Sequence, residues 1–157
     1  MMIGETYAEY GGSEYAEIFE IGGAVAQPRE TIKTTIDALV EVVGTGKITA
    51  ASDISRGGLI AALGKMCKHV GAEVDLSHCL DDENELFSES AGRAILTVTP
   101  KSLDSVSAAL EAHDVAFAAI GTVGGGALSI TVGDSQLTLS LEAIERSLTT
   151  LSESMIA

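Results

Sequence analysis

Apolar positions recur at helical spacing in four stretches of the chain. The clearest stretch begins at Thr31, with Pro28 just before it and Gly44 just after it as boundary signals. Its apolar residues follow i, i+4, i+7, i+8 and i+11, which predicts that one helix face is buried: Ile32, Ile36, Leu39, Val40 and Val43. The same spacing predicts helices over 59–70, 103–110 and 141–151, with Ser102 as an N-cap of the third helix.

Short runs rich in β-forming residues alternate with these helices. They predict strands at 47–51, 72–76, 93–99, 115–120, 127–132 and 136–139, whereas 1–29 is expected to be irregular. Gly133-Asp134 separates the last two strands and predicts a type II′ hairpin turn, since glycine stands first. The alternation implies an α/β or α+β domain with a mixed sheet covered by helices.

The amino-acid composition argues against several classes of function. With 157 residues, 46% apolar and 20% charged residues and 2 Pro, the chain is long and apolar enough for one folded domain. The 23 acidic residues against 9 basic ones give a net charge of −14, which argues against nucleic-acid or anionic-membrane partners. The six aromatic residues include no Trp and predict neither an aromatic cluster nor a base-stacking platform. The first residues lack signal-peptide features, so a cytoplasmic location is expected.

The first candidate site follows the strand at 47–51. Asp53 leads through Ser55, Arg56, Gly57 and Gly58 into the next helix. Free N–H groups at a helix start favour phosphate, and the carboxylate of Asp53 suits a metal or a hydroxyl. The alternative is structural: Asp53 caps the helix and the glycines make a tight turn.

The second candidate site is the polar loop at 86–93. It places the hydroxyls of Ser88 and Ser90, the carboxylate of Glu89 and the guanidinium of Arg93 at the edge of a strand. Arg93 is suited to bidentate binding of a phosphate or carboxylate. The alternative is an ordinary solvated connection in which Arg93 pairs with an acidic residue just upstream.

Four motifs in this order carry a resemblance to a known family. They are Gly4-Glu5-Thr6 with Gly11-Gly12-Ser13-Glu14-Tyr15, then Ser52-Asp53-Ile54-Ser55-Arg56-Gly57-Gly58-Leu59, then Leu86-Phe87-Ser88-Glu89-Ser90-x-Gly-Arg93, then Ile120-Gly121-Thr122-Val123. Nearly the whole chain resembles the C-terminal domain of phosphoribosylformylglycinamidine synthase, synthetase subunit. The resemblance implies the fold of the aminoimidazole ribonucleotide synthetase C-terminal superfamily, a mixed sheet with helices that is partly ferredoxin-like.

The resemblance implies an ATP-dependent C–N ligase of purine biosynthesis that uses glutamine-derived ammonia, ATP and Mg²⁺. Carried over by position, Asp53 and the backbone of Phe87 serve ATP, and Ser88 stands at a magnesium-linked position. Ser90 contacts the ribonucleotide substrate, with Arg93 added from its chemistry. Gly57 and Gly58 are added because their amides are expected to face a phosphate.

Two departures from the family pattern stand out. Ser52 replaces the His that commonly precedes the Asp, and Ser88 replaces a frequent Asn. The family's catalytic residues belong to an N-terminal domain, so we expect 1–157 to be a single C-terminal domain, with 1–29 as a junction segment and 30–157 as the core. This chain is then expected to hold no catalytic residue and to be inactive alone.

The implied partners are the N-terminal domain, a glutaminase subunit, a small accessory subunit and the ribonucleotide. A homodimer is a further alternative. Two alternatives remain at this point. One is a relative in the superfamily, such as aminoimidazole ribonucleotide synthetase; the other is a non-catalytic binding or oligomerisation module.

Overall fold

A computed structural model describes residues 1–154, with side chains through Thr149. The helices are α1 (Glu14–Phe19), α2 (Thr31–Gly44), α3 (Gly58–Met66), α4 (Leu103–Ala112) and α5 (Leu141–Ser154), and short 3₁₀ helices span Glu83–Phe87 and Pro100–Ser102. The strands are β1 (Met2–Ile3), β2 (Ile48–Ile54), β3 (Ala72–Asp75), β4 (Arg93–Val98), β5 (Phe117–Ala118), β6 (Gly121–Val123), β7 (Ala127–Val132) and β8 (Ser135–Ser140). Within this part of the chain, no helix is both long and apolar enough to cross a bilayer.

The strands form two four-stranded sheets where one was expected, and the second of them is the mixed sheet. The first sheet has the order β2-β4-β1-β5, and all its pairs are antiparallel. The second has the order β6-β3-β7-β8, in which β3 and β7 are parallel. The α/β architecture is confirmed, and each sheet is partly covered by helices.

Two apolar clusters form the core. One lies between α2, α4 and the first sheet and includes Ala38, Val42, Leu96 and Leu110. The larger one joins both sheets and α3 through residues such as Leu59, Leu63, Ile95 and Leu128, each at most 4% exposed. Burial of these side chains holds β2 and β4 between helices and thereby fixes the strand ends that carry the candidate site.

Residues 1–29 are more ordered than predicted. Met2–Ile3 is β1, which lies between β4 and β5 inside the first sheet, and Glu14–Phe19 is α1. Ser13 caps α1, since its hydroxyl accepts from the Ala16 amide at 3.1 Å. The junction segment therefore contributes to the core as well as to the surface.

The predicted buried face of α2 is wrong. The buried residues of this helix are Thr35, Ala38 and Val42, whereas Ile36 and Val40 are 51% and 69% exposed. Small side chains let α2 approach α4 and the sheet closely. The bulkier Ile36 and Val43 line an open cavity beside β2 instead of the core.

Ser102 is the N-cap residue of α4, as predicted, although its side chain makes no capping hydrogen bond. Two other expectations need correction. Of the predicted strand at 115–120, only Phe117–Ala118 is a strand of the first sheet, and the chain then enters the second sheet at Gly121. The predicted helix at 59–70 ends earlier, at Met66.

The hairpin prediction is confirmed. β7 and β8 pair antiparallel up to Val132 and Ser135, and Gly133 has a φ of +55°. The helix after β8 is also present, although the Leu151 side chain lies outside the described residues.

Candidate functional site

Asp53 lies within β2 rather than after it. The strand runs to Ile54, and Asp53 is paired with Ala94 of β4. The N-cap residue of α3 is Gly57, so the alternative in which Asp53 caps that helix is wrong. Its side chain is exposed, and among residues 1–149 nothing donates a hydrogen bond to its carboxylate. This carboxylate is therefore available to a ligand.

A cavity of about 640 Å³ contains Asp53 in its wall. It lies between α2, β2 and the segment that leads into β4, and its lining includes Ser55, Glu89 and Arg93. The opposite side is apolar, with Ile36, Leu39 and Val43 of α2. The two predicted polar loops thus meet at one end of one sheet.

Glu89 joins the two loops. Its Oε1 accepts the Gly57 amide at 2.8 Å and the Glu14 amide at 3.0 Å. The Glu14 carboxylate in turn pairs with Arg56. One half-buried carboxylate thus fixes β2–α3, the 86–93 loop and the start of α1 relative to one another. The sequence placed Glu89 in the second candidate loop but assigned it no role of its own, and its bonds to the Gly57 and Glu14 amides were not predicted.

Gly57 and Gly58 have φ values of +83° and +70°, which favour glycine. Their amides are already bonded, Gly57 to Glu89 and Gly58 to the Ser55 carbonyl at 2.9 Å. A Cβ on Gly58 would lie 2.5 Å from the Leu86 carbonyl oxygen. These glycines allow a close approach of α3 to the 86–87 segment, and their predicted phosphate contact stays a prediction.

Ser88 and Ser90 are fully buried, at 0% exposure each. The Ser88 hydroxyl donates to the Tyr7 carbonyl at 2.6 Å, and the two serine oxygens are 2.9 Å apart. The Tyr7 amide donates to the Ser90 hydroxyl at 3.1 Å. The two hydroxyls therefore anchor the N-terminal segment, and neither lines the cavity that contains Asp53. The predicted contacts of Ser88 with magnesium and of Ser90 with the substrate stay predictions.

Arg93 is 3% exposed and uses its guanidinium inside the protein. It donates to the Ser88 carbonyl at 2.6 Å, to the Ser90 carbonyl at 2.9 Å and to the Thr6 hydroxyl at 2.9 Å. The alternative in which it pairs with an upstream carboxylate is wrong, since none of these acceptors is a carboxylate. Burial lowers the pKa of Arg93 to about 10.

Four aromatic rings form a cluster beside this site, contrary to the sequence prediction. Tyr15 stacks on Phe87 with ring centroids 4.4 Å apart, and it also contacts Tyr10 and Phe19 at 6.3 and 4.8 Å. Phe87, predicted to serve ATP through its backbone, is thus held by a ring from the N-terminal segment. Tyr10, Tyr15 and Phe19 are close in sequence, but Phe87 lies far from them along the chain, so composition alone did not reveal the cluster.

Comparison with known families agrees with the motif order. Residues 1–133 match the family model of AIR synthase related protein, C-terminal domain. The chain belongs to this family. The predicted superfamily is thereby confirmed, and the two loops of the candidate site belong to the motifs that carry the resemblance.

Curated relatives are synthase subunits from archaea and bacteria. The phosphoribosylformylglycinamidine synthase subunit PurL of Methanosarcina mazei is 38% identical over 162 residues, which cover 99% of this chain and 22% of that protein. The same subunit of Moorella thermoacetica is 38% identical over 150 residues, covering 90% and 20%. The domain therefore spans about a fifth of the length of the curated relatives it matches.

Solved structures confirm the fold. Thermotoga maritima PurL complexed with FGAR gives a TM-score of 0.74 at 17% identity, covering 92% of this chain and 27% of that one. PurL of the same organism complexed with ATP gives 0.70 at 17% identity, covering 92% and 25%. A HypE–HypF complex gives 0.62 at 16% identity, covering 88% and 51%. At such identities the likeness shows the architecture of the AIR synthase related domain alone.

Proposed function

We propose that this chain is the C-terminal domain of a phosphoribosylformylglycinamidine synthase, an ATP-dependent ligase of purine biosynthesis. In this reaction ATP phosphorylates the amide oxygen of formylglycinamide ribonucleotide, and ammonia then displaces phosphate to leave the amidine. The proposal is supported by relatives of that name, which are 38% identical across 99% of the chain.

We further propose that the domain supplies one wall of the site for ATP and the ribonucleotide. The observation that carries this proposal is the joining of the two polar loops by Glu89, next to the unengaged carboxylate of Asp53. A wall fixed in this way holds its ligand contacts in place before binding, which lowers the cost of ordering them. The catalytic residues are expected outside this domain, which matches 22% of the Methanosarcina mazei synthase subunit.

The polar groups of this wall fit a metal-bound phosphate better than a bare triphosphate. The amides of Gly57 and Gly58 are occupied and the guanidinium of Arg93 is buried, whereas Asp53 and Glu89 bring carboxylate oxygens to the cavity. Carboxylates are the oxygen donors that Mg²⁺ takes in nucleotide sites. When bound, Mg²⁺ neutralises phosphate charge. The buried, bonded hydroxyl of Ser88 does not fit a metal ligand in this conformation, so we propose Asp53 as the residue facing Mg²⁺ and ATP.

Ser90 and Arg93 are proposed to shape the substrate side through the loop that they hold. Their hydrogen bonds fix the main chain of 88–93, and Ala91 and Gly92 from that segment line the cavity. Direct contact of the Ser90 hydroxyl with substrate requires its bonds to Tyr7 to be exchanged for bonds to the ligand.

We also propose the partners that the synthase reaction needs. These are the N-terminal domain of the same polypeptide, a glutaminase subunit that supplies ammonia, and a small accessory subunit, all in the cytoplasm. A solved PurLQS assembly of Thermotoga maritima contains a fold like this one, with a TM-score of 0.72, which is compatible with such a complex.

A chimera tests the proposal. The C-terminal fifth of the Methanosarcina mazei synthase subunit is replaced by this chain, and ammonia-dependent formation of the amidine is measured with ATP and Mg²⁺. We expect turnover that needs the ribonucleotide, and no turnover from the same subunit lacking its C-terminal fifth. A folded chimera that binds neither ATP nor ribonucleotide would contradict the proposal and favour a non-catalytic module.

A further inference from the structure

A separate cavity, which shares no lining residue with the cavity that contains Asp53, lies among the aromatic rings of the N-terminal segment. It has a volume of about 360 Å³ and is lined by Tyr10, Tyr15, Ile21, Asp82 and Asn84. Together with Phe19, whose ring is 4.8 Å from that of Tyr15, these residues are here called the aromatic–acidic surface. The site proposed for ATP and the ribonucleotide uses none of them.

The apolar part of this surface is unusually exposed. Phe19 and Ile21 are 60% and 41% exposed, and Ile18 and Val25 of the same segment reach 69% and 57%. An isolated exposed apolar residue needs no explanation, but several on one short segment mark an interaction site. One face of Tyr15 is stacked on Phe87, whereas the ring of Phe19 is largely exposed. Aromatic residues are enriched at protein interfaces.

The polar part of this surface is negative. Asp82 lines the cavity, and Asp81 and Glu83 beside it are exposed. Oδ1 of Asp82 accepts from the amide and side chain of Asn84 at 2.7 and 2.6 Å, which orients the carboxylate. Burial raises the pKa of Tyr10, and the charges of Glu85 and Asp82 raise it further, so both carboxylates act on this ring.

Rings and an oriented carboxylate around one cavity match the chemistry of a guanidinium group. A guanidinium stacks on aromatic faces and bonds carboxylates with its planar donors, whereas an anion is repelled here. The net charge of −14 also attracts a basic partner at long range. We propose that the aromatic–acidic surface docks a partner protein that inserts an arginine, flanked by apolar residues, into this cavity.

A short peptide provides the probe. The peptide Ac-Leu-Arg-Leu-NH₂ and its citrulline counterpart, which has nearly the same shape but no charge, are titrated into the ¹⁵N-labelled chain and followed by NMR. We expect the arginine peptide to shift the amide signals of Tyr10, Tyr15, Ile21 and Asn84, with a Kd roughly tenfold lower than that of the citrulline peptide. Equal affinity, no binding, or shifts elsewhere would overturn the proposal.

Two variants localise the binding. Asp82→Asn keeps an oxygen for Asn84 but removes the charge, and we expect it to abolish the preference for arginine. Asp134→Asn removes an exposed charge at the β7–β8 turn and should leave the preference unchanged. Amide spectra show that each variant is folded, and equal preference in both would overturn the proposal.

Two other occupants are the rest of the proposed synthase polypeptide and a second copy of this chain. Loss of arginine-peptide binding in the chimera with the Methanosarcina mazei subunit would assign the surface to the former and overturn the arginine proposal. Shifts of the same amides with protein concentration, without peptide, would assign the surface to self-association and overturn the arginine proposal. Saturating ATP and Mg²⁺ should not displace the peptide, so this result is independent of the proposed synthase function.

Discussion

Single buried polar residues hold the candidate site together. Arg93 satisfies two carbonyls of its own loop and one hydroxyl from the N-terminal segment, and Ser88 and Ser90 bond the main chain of Tyr7. A buried charged group destabilises the folded state unless its hydrogen-bond donors have acceptors. Arg93 meets this condition, because its guanidinium donates to these three acceptors. These residues stabilise the 88–93 loop, and neighbouring residues of that loop line the cavity.

Arg93→Lys is expected to lower stability. A lysine ammonium cannot reach all three acceptors in the planar arrangement of a guanidinium, so buried oxygens lose their partners. We expect a loss of about 1–3 kcal/mol in the free energy of unfolding, measured by denaturant titration. Arg146→Lys, at a side chain 73% exposed on α5, serves as the control and should change little. Equal stability of the two variants would refute the structural role of Arg93.

At the scale of elements, the start of α3 depends on a close contact with the 86–87 segment. Gly58 has positive φ and no room for a Cβ, whereas a Cβ on Gly64 in the same helix would meet nothing within 4 Å beyond its chain neighbours and the helix's own backbone. Alanine substitutions at these two positions therefore distinguish the effect of a backbone contact from the effect of helix propensity within one helix.

Gly58→Ala and Gly64→Ala should have opposite effects. Alanine at position 58 is strained and meets the Leu86 carbonyl, so we expect a loss of about 2 kcal/mol or more. Alanine at position 64 gains helix propensity, so stability should rise by about 0.5–1 kcal/mol. Thermal unfolding measures both, and a stabilising change at position 58 would contradict the described contact.

The spacing of apolar residues predicted most helices and strands, but not always the surfaces against which they pack. The helices, the hairpin and most strands were predicted, since each depends on local spacing and turn residues. For α2 the bulky apolar residues predicted the wrong buried face, because tertiary packing selected the small residues Ala38 and Thr35. The strand at 115–120 was predicted whole, since nothing local signals that the chain passes between two sheets there.

Only part of the candidate site was predicted, because some of its contacts join residues far apart in sequence. Motifs identified both loops, and the cavity does bring Asp53, Glu89 and Arg93 together. The buried state of Ser88 and Ser90 depends on Tyr7, more than eighty positions away in sequence. Long-range contacts of this kind are not visible in spacing along the chain.

At the scale of the whole molecule, two sheets and their helices present a rigid wall with one unengaged carboxylate. The antiparallel pairing of β2 with β4 places Asp53 beside Ala94, and Glu89 fixes the neighbouring loop. The central claim is that this wall serves ligand binding in a larger synthase, so that Asp53 matters for activity rather than for folding.

The most direct test is Asp53→Asn in the chimera with the Methanosarcina mazei subunit. We expect kcat/KM for ATP to fall by about a hundredfold or more, because a charge facing Mg²⁺ and ATP is lost. The melting temperature should stay within about 1 °C, since an exposed, unbonded side chain contributes little to stability. Asp134→Asn should retain both properties. Unchanged kcat/KM for the Asp53 variant, together with a lowered melting temperature, would contradict the account.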